Sequence, residues 1–398
     1  MLQPGTLQRV DDMLARLVAK HAGRVPDLDL RLSAAGLARG HAPSWETLET
    51  IAPRAKADLP ALQRAHPPFG GLAPDFQPRA LFWSPGGLCE PVTQTSIDRL
   101  AQLLADAGIK ASDRVANGFS YHFTPAGLLV HEAIVQLGAC ALPIGPQQIP
   151  QAAEFMAVAG ATAYIGTASH LKMLLQSGDA LSEPLQRPQL RIAMAGAEPF
   201  GDDLRRAIES QWHVPCFDFY GFAEAGILAL ECVAHAGLHL HPEVLSELVV
   251  PGTGVRTSDG VGELLITHDC DQLPLLRFAT GDLVRVHHEA CTCGRRTPRI
   301  QPLGRVGDSA RVRGMLLHGS QLRAFARRTG LHACRLTLTR DAERDVLHLH
   351  YQADAADKAV LAQTFRDVCR LRADSMIQDP TLPKGEVLLR DDRHGGAP

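Results

Sequence analysis

From Arg79 onward, short apolar runs alternate with longer amphipathic stretches: RALFWS, SIDRLAQLLADAG, RVANGFS, AGLLVHEAIVQLG, ACALPIG, QQIPQAAEFMAVAG and ATAYIGT follow one another along the chain. The runs have strand length and the stretches have helical period, so the pattern predicts βα units on a mostly parallel sheet. Residues 244–286 change to a denser strand pattern (SELVVPG, VGELLITH, LVRVHH), which predicts a β-rich subdomain over about 244–303. After Gly304, RLTLTRD, DVLHLHYQAD and KAVLAQTFRDVCRLRAD predict two strands and a helix in a small α+β domain. Residues 1–78 alternate short helical patterns with Pro-rich breaks such as HPPFGGLAPDFQP, as a segment does that wraps around a core. The expected class is α/β: an N-terminal helical wrap at 1–78, a large multi-layer αβα core at 79–303 with its β-rich subdomain, and a small C-terminal domain at 304–398. There is no internal repeat and no low-complexity segment.

Composition narrows the function classes. At 398 residues with 45% hydrophobic content, the chain can bury a large core and a smaller second one. A net charge of −3 gives no electrostatic reason to expect nucleic acid or an anionic membrane as a partner. The start, MLQPGTLQRVDDMLARLVAKHAG, is amphipathic and broken by charge, unlike a signal peptide, and no apolar run has the length of a membrane span. Nine scattered cysteines point to reduced thiols and, with the rest, to a cytoplasmic location.

Three chemical signals fall within residues 277–314. Thr280-Gly281-Asp282 sets a carboxylate on a tight turn, where it can accept both hydroxyls of a ribose. Cys291-Thr292-Cys293-Gly294 offers two soft ligands one residue apart beside a turn-forming glycine. Gly304-Arg305-x-x-Asp308 supplies a cation and a second turn just before the pattern changes. Together they resemble the ribose-binding, cysteine-rich and hinge segments of the adenylate-forming ligases, in the phenylacetate–coenzyme A ligase branch. The resemblance extends to the acid-pocket strand and helix (Phe119 to Gly145) and to the nucleotide-facing segments AGAEPF (Ala195 to Phe200) and DFYGFAEAG (Asp218 to Gly226).

That resemblance implies roles. Gly196, Ala197, Glu198 and Pro199 would bring backbone against adenine, Tyr220 would supply a ring face with Asp218 as polar neighbour for its amine, and Phe219 and Gly221 would complete the nucleotide-binding segment. Asp282 would bind the ribose with help from Arg305, Glu224 would hold Mg²⁺ near the α-phosphate, Lys384 would serve as the adenylation lysine, and Asp308 would lie at the hinge. Tyr121, His122 and Phe123, with Phe222, would line the acid pocket. No strong base is needed, because the acid is already ionised at neutral pH; the difficulty is anion meeting anion.

The chain departs from the family at the phosphates. Where relatives have Ser-Ser-Gly-Thr-Thr-Gly-Lys-Pro, this chain has Ser84-Pro85-Gly86-Gly87-Leu88-Cys89-Glu90-Pro91, a degenerate phosphate loop whose candidate residues are Ser84, Gly86 and Gly87. Pro85 removes an N–H, Gly87 and Leu88 remove hydroxyls, and Glu90 puts an anion where a cation would face pyrophosphate. Ala223 replaces a hydroxyl residue, and Lys384 precedes Gly385 where the family's lysine follows its glycine. The expected function is ATP-dependent activation of an aryl or acyl carboxylate through acyl-AMP, then transfer to coenzyme A. The alternatives are a non-adenylating descendant that binds nucleotide or acyl-adenylate as a regulatory or partner protein, and transfer to a carrier-protein thiol. A homodimer is the candidate assembly.

A metal site is the remaining expectation. Cys232, His239, Cys291 and Cys293 make a Cys₃His set that suits structural Zn²⁺, with His241 as a substitute ligand. Some relatives carry a comparable site, and Gly237-Leu238-His239 matches a family segment. The competing reading makes CTCG a plain turn and His239 an exposed strand residue.

Overall fold

The computed structural model describes residues 4–73, 78–84, 87–198, 200–222, 225–269, 274–306, 309–312, 315–341, 344–354 and 357–392. Five strands run parallel in the order Cys140–Pro143, Arg114–Asn117, Ala163–Gly166, Ile192–Gly196, Cys216–Phe222. Alternation decides which side chain meets which helix layer. Val115, Ile165 and Met194 face the layer of Gln94–Asp106 and Ala126–Gln136, whereas Ala116, Tyr164 and Ala193 face Ile149–Val158, Ala168–Asp179 and Asp202–Trp212. Threonines start two of these helices: Thr93 forms a reciprocal cap with Ser96, and the Thr167 side chain accepts from the His170 N–H.

The sheet continues antiparallel through Gly226–Glu231, Leu238–Leu240, Arg299–Arg305, Leu275–His287, Val261–His268 and Leu245–Val249. Leu245–Val249, Val261–His268 and Leu275–His287 are the dense strand pattern legible in the sequence, whereas Gly226–Glu231 and Leu238–Leu240 precede it. The N-terminal segment does more than wrap. Helices Pro4–His21 and Pro26–Ala34 bury Leu14, Leu17, Val18, Leu28 and Leu32 in a cluster of their own with Leu276, and Arg54–Ala55 adds a parallel strand beside Phe278–Ala279. The weld is polar: the buried Arg277 donates to the carbonyls of Ile51 and Gly254 and pairs with Glu247 at 3.1 Å.

Beyond Ser309 a second apolar cluster forms. Strands in the order Ser375–Gln378, Arg344–Gln352, Ala333–Asp341, Val387–Asp391 turn Leu336, Leu338, Leu347 and Leu349 toward helices Gly319–Thr329 and Lys358–Cys369. The sequence pattern had shown only two of those strands and one helix. Helix Gly319–Thr329 escaped it because arginines and polar residues outnumber its buried Leu322, Phe325 and Ala326.

Candidate functional site

Strand Cys216–Phe222 carries the centre of the site. Its alternation turns Tyr220 and Phe222 to one face and the Phe217 and Phe219 rings to the core on the other. The Tyr220 hydroxyl donates to Asp282 Oδ2 at 2.7 Å, and Arg305 Nη1 donates to Asp282 Oδ1 at 2.7 Å. Asp282 and Arg305 are register partners in adjacent strands, so sheet pairing delivers the ion pair. The turn before it is fixed too. Thr280 Oγ1 donates to the Leu264 carbonyl and accepts from the Asp282 N–H, while Gly281 takes φ 71°, with Arg305 packed over it. Burial and the Asp282 carboxylate push the Tyr220 hydroxyl far up, so it stays a donor. An ionised carboxylate has room for about four hydrogen bonds; two are used here, which leaves two acceptor positions.

The adenine-facing segment lies at the end of strand Ile192–Gly196. A Cβ on Gly196 would lie 2.6 Å from the Phe219 ring, so only glycine fits, and Ala197 adopts φ 62°. Glu198 accepts from the Ser169 N–H at 2.6 Å and its hydroxyl at 2.9 Å, tying this segment to the start of helix Ala168–Asp179. The Phe219 ring is buried, edge-on to Phe119 at 6.2 Å, so it packs the core and leaves the ring face to Tyr220. Gly221 also needs to be glycine, since a Cβ there would meet the Gly226 carbonyl at 2.3 Å. Asp218 sits next to a buried pair, Arg205 with Glu231 at 2.7 Å; its backbone N–H donates to Glu231. Burial, with the Glu231 carboxylate adding to it, pushes the Asp218 carboxyl up to about 7. Pro199 and the expected metal-holding Glu224 lie outside the described residues, as does Ala223.

The acid-pocket residues separate into two groups. Asn117, fully buried at the end of its strand, donates to the Tyr121 hydroxyl and to the Gly127 carbonyl, both at 2.8 Å, and His131 lies 3.2 Å from the same hydroxyl. Burial takes Tyr121 up to about 12. His122 and Phe123 are exposed and meet edge to face at 4.5 Å. Phe222 instead stacks on Phe278 at 5.7 Å, with Lys56 Nζ 5.5 Å from its centroid. No hydrogen bond or ring contact among the described residues joins the two groups.

The described residues on either side of the phosphate loop pair as a hairpin. Strands Ala80–Ser84 and Leu88–Val92 pair, and the Gly87 N–H donates to the Ser84 carbonyl at 2.9 Å with Gly87 at φ 73°. Gly86 and Pro85 lie outside the described residues. Glu90 corrects the sequence reading: strand alternation buries it on the face of Leu88 and Val92, so it does not confront a phosphate. Lys384 is exposed on a turn whose Gly385 takes φ 84° and whose Glu386 pairs with Arg335 at 2.6 Å; among the described residues Lys384 itself makes no hydrogen bond or ion pair. The hinge residue Asp308 lies outside the described residues.

The Cys₃His set converges. Cys232 Sγ and Cys291 Sγ lie 3.6 Å apart, Cys293 Sγ and His239 Nε2 3.4 Å, and all four ligand atoms fall within 4.8 Å of one another. Zinc bonds of about 2.0–2.3 Å give a tetrahedron with edges of about 3.4–3.8 Å, which these separations approach. His239 is buried, contrary to the plain-turn reading, and its Nδ1 meets Thr297 Oγ1 at 3.2 Å, which aims Nε2 at the sulfurs. Burial lowers the His239 pKa, leaving a neutral imidazole suited to ligation. The Cys293 N–H holds the Cys291 thiol below its usual range. Thr297 and Asn117 had no sequence signal of their own; only folding places them.

No family model matches the chain. It is 29% identical to the phenylacetate–coenzyme A ligase of Thermus thermophilus over 331 residues, covering 79% of this chain and 73% of that one. With the Escherichia coli phenylacetate–coenzyme A ligase the identity is 29% over 246 residues, 58% of this chain and 55% of the relative, so the match spans about half of that enzyme. Among solved structures, an open conformation of 2-hydroxyisobutyryl-CoA ligase in complex with 2-HIB-AMP and CoA superposes with a TM-score of 0.79 at 20% identity, over 95% of this chain and 88% of that one. ATP-bound MatB from Rhodopseudomonas palustris gives 0.55 at 15% identity over 78% and 65%. In sequence the chain is thus similar to phenylacetate–coenzyme A ligases, and in fold to adenylate-forming ligases.

Proposed function

We propose that the protein activates an aryl or acyl carboxylate with ATP and transfers the acyl group to coenzyme A. The observation that carries this reading is the Asp282 carboxylate, held by Tyr220 and Arg305 with two acceptor positions left for ribose hydroxyls. A carboxylate oxygen attacks the α-phosphorus, the bond to the bridging oxygen breaks and pyrophosphate leaves; the thiolate sulfur then displaces AMP from the acyl carbon. Asp282 and the Gly196–Glu198 segment position the nucleoside, and binding energy spent there aligns the two anions. Glu224 would hold Mg²⁺, which offsets the charge between them, and Lys384 would contact the carboxylate from the mobile 304–398 domain, swinging at Asp308. Cys232, His239, Cys291 and Cys293 would hold a structural Zn²⁺ that fixes the loop beside strand Leu238–Leu240. A cytoplasmic location belongs to this reading; among the described residues no helix is long and apolar enough to cross a membrane.

One observation favours a second reading. The Gly87 N–H, which a phosphate-cradling loop would aim at ATP, is spent on the Ser84 carbonyl. A descendant that keeps the nucleoside half of the site and binds AMP or acyl-AMP without adenylating would have such a hairpin. Pyrophosphate release across a panel of aryl and aliphatic acids, with and without coenzyme A or an acyl-carrier protein, separates the readings: a ligase releases it in an acid-dependent way, and the acceptor that accelerates turnover names the thiol.

A further inference from the structure

Three residues of the N-terminal segment meet Phe222 and the hairpin. Strand Arg54–Ala55 pairs in register with Phe278 and Ala279, the two residues that lead into Thr280-Gly281-Asp282, and so carries Lys56 to the face of Phe222. Helix Leu59–Ala65 follows. Gln63 on that helix grips the hairpin twice, its Oε1 accepting from the Cys89 N–H at 2.7 Å and its Nε2 donating to the Cys89 carbonyl at 3.0 Å. One residue on, Arg64 is exposed and reaches over the hairpin turn: a Cβ built on Gly87 would lie 3.5 Å from Arg64 Nη2 and 3.9 Å from Trp83 Cζ2. Among the described residues its guanidinium makes no hydrogen bond or ion pair. The loop has lost its lysine and most of its hydroxyls, and Glu90 is turned inward, so this guanidinium is the described cation nearest Gly87.

We infer that Arg64 is the phosphate-facing cation of this site, supplied by the N-terminal helix in place of the lysine the hairpin lacks, with Gln63 as its positioning residue. The inference rests on the proposed ATP site. A guanidinium suits the task, since its planar fork can give two hydrogen bonds to a terminal phosphate. AMP has no β- or γ-phosphate and would not feel the residue. The chemistry of ATP cleavage is unchanged; Arg64 binds the leaving pyrophosphate.

The test measures ATP, AMP and inorganic pyrophosphate affinities by titration calorimetry with Mg²⁺ for the intact chain, Arg64→Ala, Arg64→Lys and Gln63→Ala, each checked for unaltered melting. Arg64→Ala should weaken ATP and pyrophosphate by about ten- to a hundredfold, the span of one charge-assisted interaction, and change AMP less than about twofold. Arg64→Lys should recover part of the loss, and Gln63→Ala should weaken ATP less than Arg64→Ala does. Equal ATP affinity in the intact chain and Arg64→Ala, or an equal loss for AMP and ATP, overturns the inference and leaves Arg64 as a cover for Trp83. Pyrophosphate release read in parallel keeps the two readings apart: Arg64-dependent ATP binding without release sinks the ligase reading alone, and release unaffected by Arg64→Ala sinks this inference alone.

Discussion

Replacing Asp282 by Ala tests the nucleoside site most sharply. In the folded protein the carboxylate holds two partners at 2.7 Å, the Tyr220 hydroxyl and the Arg305 guanidinium, and its side chain is only 16% exposed. Its two remaining acceptor positions would take the ribose hydroxyls as charge-assisted bonds. Each is worth about 1.5–3 kcal/mol gross, part of which water recovers in the free state, so AMP affinity should fall by about 2–4 kcal/mol, or about thirtyfold to a thousandfold. Asp282→Asn keeps one acceptor oxygen and should lose less. Tyr220→Phe keeps the ring and should lose about 1 kcal/mol, because it only loosens Asp282. The assay is calorimetric titration with AMP and a non-hydrolysable acyl-AMP, alongside a melting curve. Arg305 is largely exposed and Tyr220 keeps its ring, so folding should survive. Unchanged AMP affinity in folded Asp282→Ala protein would refute the placement of the nucleoside at this carboxylate.

Three further outcomes follow from the same geometry. Purified protein should carry about one equivalent of zinc, and Cys291→Ser should lose both the metal and thermal stability while AMP affinity stays; metal-free protein with an unaltered melt in the mutant would remove the site. Asp218 is pushed up to about 7 in the fold, so the folded state keeps a proton the unfolded chain releases near 4, and this contribution to stability is present below about pH 4 and lost as pH rises to about 7. Asp218→Asn should therefore raise the melting temperature at pH 8 more than at pH 5, and an equal shift at both would contradict the assignment. Glu247→Ala strands the buried Arg277, which should cost about 3–5 kcal/mol in denaturant unfolding; a change below about 1 kcal/mol would show the N-terminal weld is carried by packing alone.

The sheet and its helices were legible because each apolar run has one period and each period one face. Val115 and Ala116, adjacent in sequence, go to opposite layers as strand geometry requires. The Tyr220, Asp282 and Arg305 grouping was legible through its motifs, and the structure brings all three into hydrogen-bond contact. Three things were less readable. Face was misjudged at Glu90, where a motif position says nothing about which way a strand residue points. The partners of the acid-pocket residues carried no motif signal: Tyr121 is tethered to Asn117, and Phe222 stacks on Phe278 far along the chain. The segment around Lys56, Gln63 and Arg64 showed only short helical pattern and proline breaks; its approach to the site depends on a two-residue strand too brief to leave a periodic signal.

The central claim is that this chain adenylates a carboxylic acid. Pyrophosphate release from ATP and Mg²⁺, followed across aryl and aliphatic acids with coenzyme A present, tests it most directly. The account predicts release that depends on a particular acid, accelerates with coenzyme A and falls with Asp282→Ala. Tight AMP binding with no acid-dependent release from any member of the panel would contradict it and leave a nucleotide-binding relative that has given up the reaction.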